Sequence, residues 1–436
     1  MGSSREREPL GRATTETERL STLFDRVISP LSRDEFLTRF WRQSFVRVPG
    51  QKGRLASVFS WRDLNWILEH DRTLAYTVPG ETPRFSLFRD GKSVDPLRYS
   101  SRHGGTIQLR PASLVNLLSE GATLILNSVE ALVPSVREVS EAFEDALHAR
   151  TAVNLYGDWR TQKGFDLHWD PQDTMILQLS GRKHWKVYRP TRLHPLLGET
   201  EQTQPPTEEP IWDGILEDGD MIYLPRGWWH VAFPLDEPSL HLTVTMVPAN
   251  GTDLLRWFVE GLRKHAEVRM NLPDPASAAE RKQYVLRMRE LLLEQWDENV
   301  LDRFLAEWNS LPLRPQVRLP ESPIECREPI AAETRVRLAT TDRLSFLPGA
   351  KDKVSFSANG VWWECAASLA PPLEQLRNKT AYSIQELCAA LPDPSAAPKL
   401  RFFLTTLVMG GVLWTESPDA PPQTSHRRVG HPRIGR

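Results

Sequence analysis

Two hydrophobic periods run through this chain, and the change between them divides it. From about residue 151 to 250, apolar and polar positions follow one another in short runs such as TAVNLYGDW, GRKHWKVY and WWHVAFP. A period of two marks a strand with one face buried. Gly219-Asp220 and Pro225-Arg226-Gly227 are turn signals, and they bound a short strand from Met221 to Leu224. From residue 251 to about 310 the period lengthens. This stretch has no glycine after Gly261 and is rich in Leu, Glu and Arg, which predicts long amphipathic helices. Val285, Met288, Leu291 and Leu292 form an apolar stripe that would seal against the barrel or against a second subunit.

Upstream, helices are expected after Ser32 and after Ser60, each an N-cap residue, with acids in the first turn after Ser32. SFVRVPG reads as a strand ended by a Pro-Gly turn. PASLVNLLSEGATLILN gives a helix stopped at Gly121 and a strand from Thr123 to Asn127, and SVREVSEAFEDALHAR gives another helix. The polar, Pro-rich stretch 191–212 is read as a long loop, either a substrate-facing lid or a solvated linker.

Beyond the proline-rich segment Leu311–Pro323, short strands and turns precede two helices and a Gly-Gly turn, an order like that of a winged helix. Residues 360–415 balance four Lys/Arg against four Asp/Glu, so a structural or protein-binding role is expected there rather than nucleic-acid binding. The domain reading is a disordered tail 1–24, a catalytic barrel 25–250, a helical dimerisation region 251–312, a winged-helix-like domain 313–418 and a basic tail 419–436.

Composition narrows the class. With 436 residues, 40% hydrophobic and 25% charged, the chain suits a globular protein of two or three domains. A net charge of −2 gives no polycationic pull toward nucleic acid or membrane. Cys326, Cys365 and Cys388 show no CxxC spacing, which fits a reducing, cytoplasmic setting. The N-terminus has no signal-peptide core, and no run of 18 apolar residues suggests a membrane span.

The chemistry is concentrated in two segments, GFDLHWDPQDTMILQLSGRKHWKVYRP and LEDGDMIYLPRGWWHVAFP. In the first, His168 and Asp170 sit two apart on an expected strand and so project from one face. His230 lies on a second strand-like run. Two histidines and one carboxylate form the facial set that holds Fe(II) and leaves coordination positions open, although other divalent metals accept it. Thr174, four residues past Asp170, and His241 with Thr243 on the closing strand are further candidates for the pocket wall. Trp169, Trp228 and Trp229 read as barrel packing, and Asp158, Trp159 and Arg160 as loop residues able to meet substrate.

These segments, together with GATLILN, VNLY and SLHLTVTM, resemble the JmjC-type 2-oxoglutarate- and Fe(II)-dependent oxygenases, and among them most the ribosomal oxygenases. The resemblance runs from about residue 25 through the C-terminal domain. It implies an α+β fold built on a double-stranded β-helix, a cupin-like jelly roll. It implies Fe(II), 2-oxoglutarate as cosubstrate, O2, and a homodimer made through the 251–312 helices. It also implies that Lys183 binds the distal carboxylate of 2-oxoglutarate, with Asn154, and more remotely Asn127, near the cosubstrate. Where the ribosomal oxygenases carry a Pro- and Gly-rich segment after the VNLY strand, this chain reads GDWRTQKGFD.

The substrate expected is an Arg or His side chain of a ribosomal or other protein. The alternatives are a peptide natural-product precursor, demethylation of N-methyl-lysine, and a non-catalytic cupin-like binding protein.

Overall fold

In the computed structural model the chain divides into two units, one spanning Glu18–Pro248 and a second containing Ala249–Arg436. The structure describes residues 16–71, 82–103, 106–196, 199, 204–274, 277–310, 329–339, 344, 346–349, 351–378 and 380–416. The basic tail and most of the polar N-terminal tail lie outside these residues.

Among the described residues, the first unit holds thirteen strands. They are β1 (Val46–Val48), β2 (Phe85–Arg89), β3 (Lys92–Ser93), β4 (Ser100–His103), β5 (Thr106–Leu109), β6 (Thr123–Leu126) and β7 (Arg150–Asp158). After these come β8 (Asp173–Ser180), β9 (Lys183–Tyr188), β10 (Trp212–Leu216), β11 (Met221–Leu224), β12 (Trp229–Pro234) and β13 (Ser239–Val247). Eight form one sheet in the order β1-β11-β8-β13-β7-β6-β2-β3, and three form a smaller sheet, β10-β9-β12. Every pairing is antiparallel. This is the double-stranded β-helix that the sequence suggested.

The two faces of the large sheet explain its hydrophobic pattern. One face carries Met175, Leu177 and Leu179 into a core shared with Phe24, Phe36 and Phe143 of the helices Glu16–Ile28, Phe36–Phe40 and Pro134–Leu147. The opposite face carries Ile176, Ile222 and Leu224 onto Trp185 and Val187 of the small sheet. A strand buried on both sides reads as a continuous apolar run, as TMILQLS does. The small sheet has one face in solvent, so β9 alternates: Lys183, Trp185 and Val187 inward, His184, Lys186 and Tyr188 outward.

Helix ends follow the expected chemistry. The Ser32 side chain accepts from the Glu35 N–H at 3.2 Å. Asp63 takes hydrogen bonds from both the N–H and the hydroxyl of Ser60, closing the start of the helix Trp61–His70. The tail expected to be disordered over 1–24 overlaps a helix in its described part. The first helix begins at Glu16, because Leu20, Leu23 and Phe24 give it a buried face.

Turns that join the sheets rely on glycine. Gly219, just before β11, has φ +93°, and a Cβ there would lie 2.1 Å from the Gln51 carbonyl oxygen. Asp220 beside it is buried, accepting from Arg47 at 2.6 Å and from the Gly50 N–H at 2.8 Å.

In the second unit, the helices Gly251–Gly261, Ala278–Gln295 and Val300–Ser310 match the expected helical region. A small core joins Phe258, Leu262 and Val300. Of the apolar stripe, Leu291 is buried, whereas Val285 and Leu292 are exposed. Further on, strands Arg335–Leu338, Tyr382–Ser383 and Leu413–Glu416 form one small sheet, and Leu347–Pro348, Lys353–Ala358 and Val361–Ala366 another. They surround the helices Ile384–Ala389 and Ala397–Met409 in one apolar cluster.

Candidate metal centre and its cavity

His168 and His230 face each other across the edge of the small sheet. Their backbones exchange two hydrogen bonds, His168 N to His230 O at 3.1 Å and His230 N to His168 O at 2.7 Å. The expected strand over residues 166–170 is reduced to this single bridge. Pro171 has no N–H to offer a ladder, and the Asp170 carbonyl is taken by the Gly227 N–H at 2.9 Å. The bridge alone still turns His168 and Asp170 toward His230.

The donor atoms of His168, Asp170 and His230 lie within 4.8 Å of one another. His168 Nε2 stands 3.9 Å from one Asp170 oxygen, and His230 Nε2 stands 3.7 Å from the other. Those gaps are too long for hydrogen bonds. Donors bound about 2.1 Å from one ion stand at most about 4.2 Å apart, and the separation of Asp170 from each histidine falls within that span.

The tautomers agree. His168 Nδ1 is 2.7 Å from the Asp166 carbonyl and His230 Nδ1 is 3.1 Å from the Trp228 carbonyl. A carbonyl can only accept, so each Nδ1 carries the proton and each Nε2 lone pair turns inward. Burial, and after it the neighbouring His168, push His230 down to about 4, which leaves a neutral imidazole at pH 7. The three residues therefore fit a divalent metal.

A cavity of about 260 Å³ opens beside them. It lies between the two sheets, with Tyr156, Thr174, Ile176, His241 and Thr243 from the large one and Lys183, Trp185 and Ala232 from the small one. Drug-sized ligands take about 300–1,000 Å³, so this space suits a small organic acid.

Lys183, Thr174 and His241, expected from sequence, all line the cavity. His241 stacks flat on Tyr156 at 4.8 Å, and burial, followed by the Lys183 charge, holds it well below the ordinary histidine range. Burial also raises the Tyr156 phenol above its ordinary range, with Asp170 adding to the effect. Both rings are therefore neutral at pH 7.

Asn154 sits on the same strand face as Tyr156. Its side-chain oxygen accepts from the Ser128 N–H at 3.2 Å, and it is outside the cavity lining. Asn127 is not brought to the cavity either: its amide donates to the Pro83 carbonyl at 2.7 Å. Arg182 faces outward and pairs with Glu237.

Three residues read as a substrate-facing loop behave differently. Asp158 closes β7 and is buried against Lys183 at 2.6 Å. Trp159 packs on Trp61, and Arg160 pairs at the surface with Asp236. Trp228 and Trp229 are buried, and Trp229 Nε1 donates to Thr191. Sequence reading missed Tyr156 and Trp185 as wall residues. Two-residue spacing from Asn154 and from Lys183 would have pointed to them.

Residues 132–254 match the JmjC domain family. This chain carries a JmjC domain. Across 241 residues it is 30% identical to ribosomal oxygenase 1 of Rattus norvegicus, covering 53% of this chain and 38% of that protein. Over 305 residues it is 23% identical to the bifunctional lysine-specific demethylase and histidyl-hydroxylase NO66 of Aedes aegypti, covering 64% of this chain and 46% of that one. The chain thus spans less than half the length of these curated relatives.

Among solved structures, YcfD, a ribosomal oxygenase from Escherichia coli in complex with cobalt and 2-oxoglutarate, shares the fold. Its TM-score is 0.56 at 20% identity, over 89% of this chain and 99% of that one. The JmjC-domain chain is ribosomal-oxygenase-like in sequence and in fold.

Proposed function

We propose that this chain is a 2-oxoglutarate- and Fe(II)-dependent oxygenase that hydroxylates an Arg or His side chain of a ribosomal or other protein. The observation that carries the reading is the convergence of His168, Asp170 and His230 beside a small cavity whose wall also includes Lys183. In this reading the three residues would hold a divalent metal. Iron, 2-oxoglutarate and O2, when bound, would supply the oxidising chemistry of a hydroxylation.

Lys183 binds the distal carboxylate through a charge-assisted hydrogen bond. Thr174 and His241 form the polar wall beside it, and Phe165, Ile176, Trp185 and Ala232 exclude water. Asn154 supports this wall through its hydrogen bond to Tyr156.

Removal of a methyl group from N-methyl-lysine is a second reading of the same chemistry. It is favoured by the insect relatives whose name joins demethylase and histidyl-hydroxylase. In this proposal the helical region also forms a homodimer, and the C-terminal unit is a winged-helix-like protein-binding module. Among the described residues no helix is long and apolar enough to cross a membrane. Cys365 and Cys388 are free thiols, which supports a reducing, cytoplasmic setting.

The test is anaerobic loading with Fe(II), then succinate release from 2-oxoglutarate in air by wild type and His168→Ala. Turnover in wild type that disappears in the variant supports the oxygenase, and +16 Da products then separate hydroxylation from loss of 14 Da. Wild type that binds metal and 2-oxoglutarate yet forms no succinate would leave a binding scaffold.

A further inference from the structure

Lys183 reaches the cavity already holding a carboxylate. Its ammonium donates to Asp158 Oδ2 at 2.6 Å, and the other oxygen, Oδ1, accepts from the Thr123 hydroxyl at 2.6 Å. Both partners are almost fully buried, Lys183 at 5% exposure and Asp158 at 2%. The carboxylate is locked from two sides, by β6 through Thr123 and by β9 through Lys183. Thr123 and Lys183 line the cavity, whereas Asp158 stands behind them. At the same end, Nδ1 of His241 and Nε1 of Trp185 are buried with no hydrogen-bond partner. Two unpartnered ring nitrogens thus belong to residues of the same cavity wall, while the Lys183 charge is already paired with Asp158.

We propose that Asp158 is a built-in competitor for the distal carboxylate of a dicarboxylate ligand, weakening its hold on Lys183 and tuning the site toward exchange rather than retention. This rests on the oxygenase reading of the same cavity. The physical argument is one of charge. An ammonium buried without a partner is costly, so Asp158 stabilises the ligand-free protein. Lys183 has three donors, and one is committed. An incoming carboxylate can take the others, but it then shares a cation with an anion only 2.6 Å from that cation. Repulsion between the two carboxylates acts in a water-poor cavity, where it is poorly screened. The 2-oxo acid end, held at the metal, does not feel this term to the same degree.

Mn(II)-loaded wild type and Asp158→Asn are titrated by calorimetry with 2-oxoglutarate and, separately, with pyruvate, a 2-oxo acid without the distal carboxylate. Asparagine keeps an acceptor for Lys183 and removes the charge. The expected result is 2-oxoglutarate bound at least ~10-fold tighter by D158N, with pyruvate affinity unchanged within about twofold. Unchanged or weaker 2-oxoglutarate binding in the variant, or equal tightening of pyruvate, overturns the proposal. Asp158→Ser carries the same expectation if D158N fails to fold. If wild type takes up Mn(II) but neither acid, the oxygenase reading itself falls and the proposal falls with it. If wild type binds 2-oxoglutarate and the variants bind it no tighter, only the competitor is lost.

Discussion

The rings of His168 and His230 stand 4.4 Å apart, and the backbone bridge between these two residues sets that distance. Ring position therefore depends on main-chain pairing, and substitution of either side chain leaves the scaffold of the site in place.

Stability and metal affinity should separate accordingly. His168 is 41% exposed at its side chain, and His168→Ala is expected to change stability by less than about 1 kcal/mol. His230 is buried, and His230→Ala is expected to cost about 1–3 kcal/mol. Both variants should weaken Co(II) by about 100-fold or more, read from the visible absorption of the bound ion. Retention of Co(II) by His168→Ala would count against the three-residue centre.

The buried His241 gives a pH dependence. Its folded-state pKa lies well below the ordinary histidine value of about 6.5, so below that pH the unfolded chain binds more protons than the folded one. Stability from this group is complete above about pH 6.5 and is lost as pH falls, at up to about 1.4 kcal/mol per pH unit. His241→Phe should flatten the fall between about pH 5 and 6.5 in urea melts of metal-free protein, leaving the part due to His230. An unchanged slope would mean that His241 protonates without penalty.

The exposed apolar residues of Ala278–Gln295 offer a test of the homodimer. Val285 and Leu293 are 63% and 65% exposed in the single chain. In the dimer reading these side chains are covered, and Val285→Glu with Leu293→Glu should convert a dimer to a monomer in light scattering without loss of Co(II) binding. A wild type that is monomeric at tens of micromolar would refute this role.

Much of the site could be read because it rests on local geometry. His168 and Asp170 share a side of an extended segment whether that segment is a full strand or one bridge. Lys183 faces inward because β9 alternates. Asp158 was misread because its role depends on a residue 25 positions away, and alternation tells which face a residue takes but not what lies across from it. Asn127 follows the same rule: its amide is spent on Pro83, 44 residues earlier. The continuous apolar run of β8 became interpretable only once both faces of the large sheet were seen to be covered.

Depth inside the barrel has a kinetic consequence. Asp170 and His168 keep 34% and 41% of their side-chain surface, while His230 and Lys183 keep 7% and 6%. A ligand bound for Lys183 would, on the oxygenase reading, enter past the more exposed His168 and Asp170, and a protein side chain presented to the metal would then occupy that route. On the oxygenase reading, traffic is compulsory: the small acid boards first, the protein substrate second, and the spent acid leaves only after the modified chain has withdrawn. Initial-rate patterns in which either ligand can bind first would contradict that order.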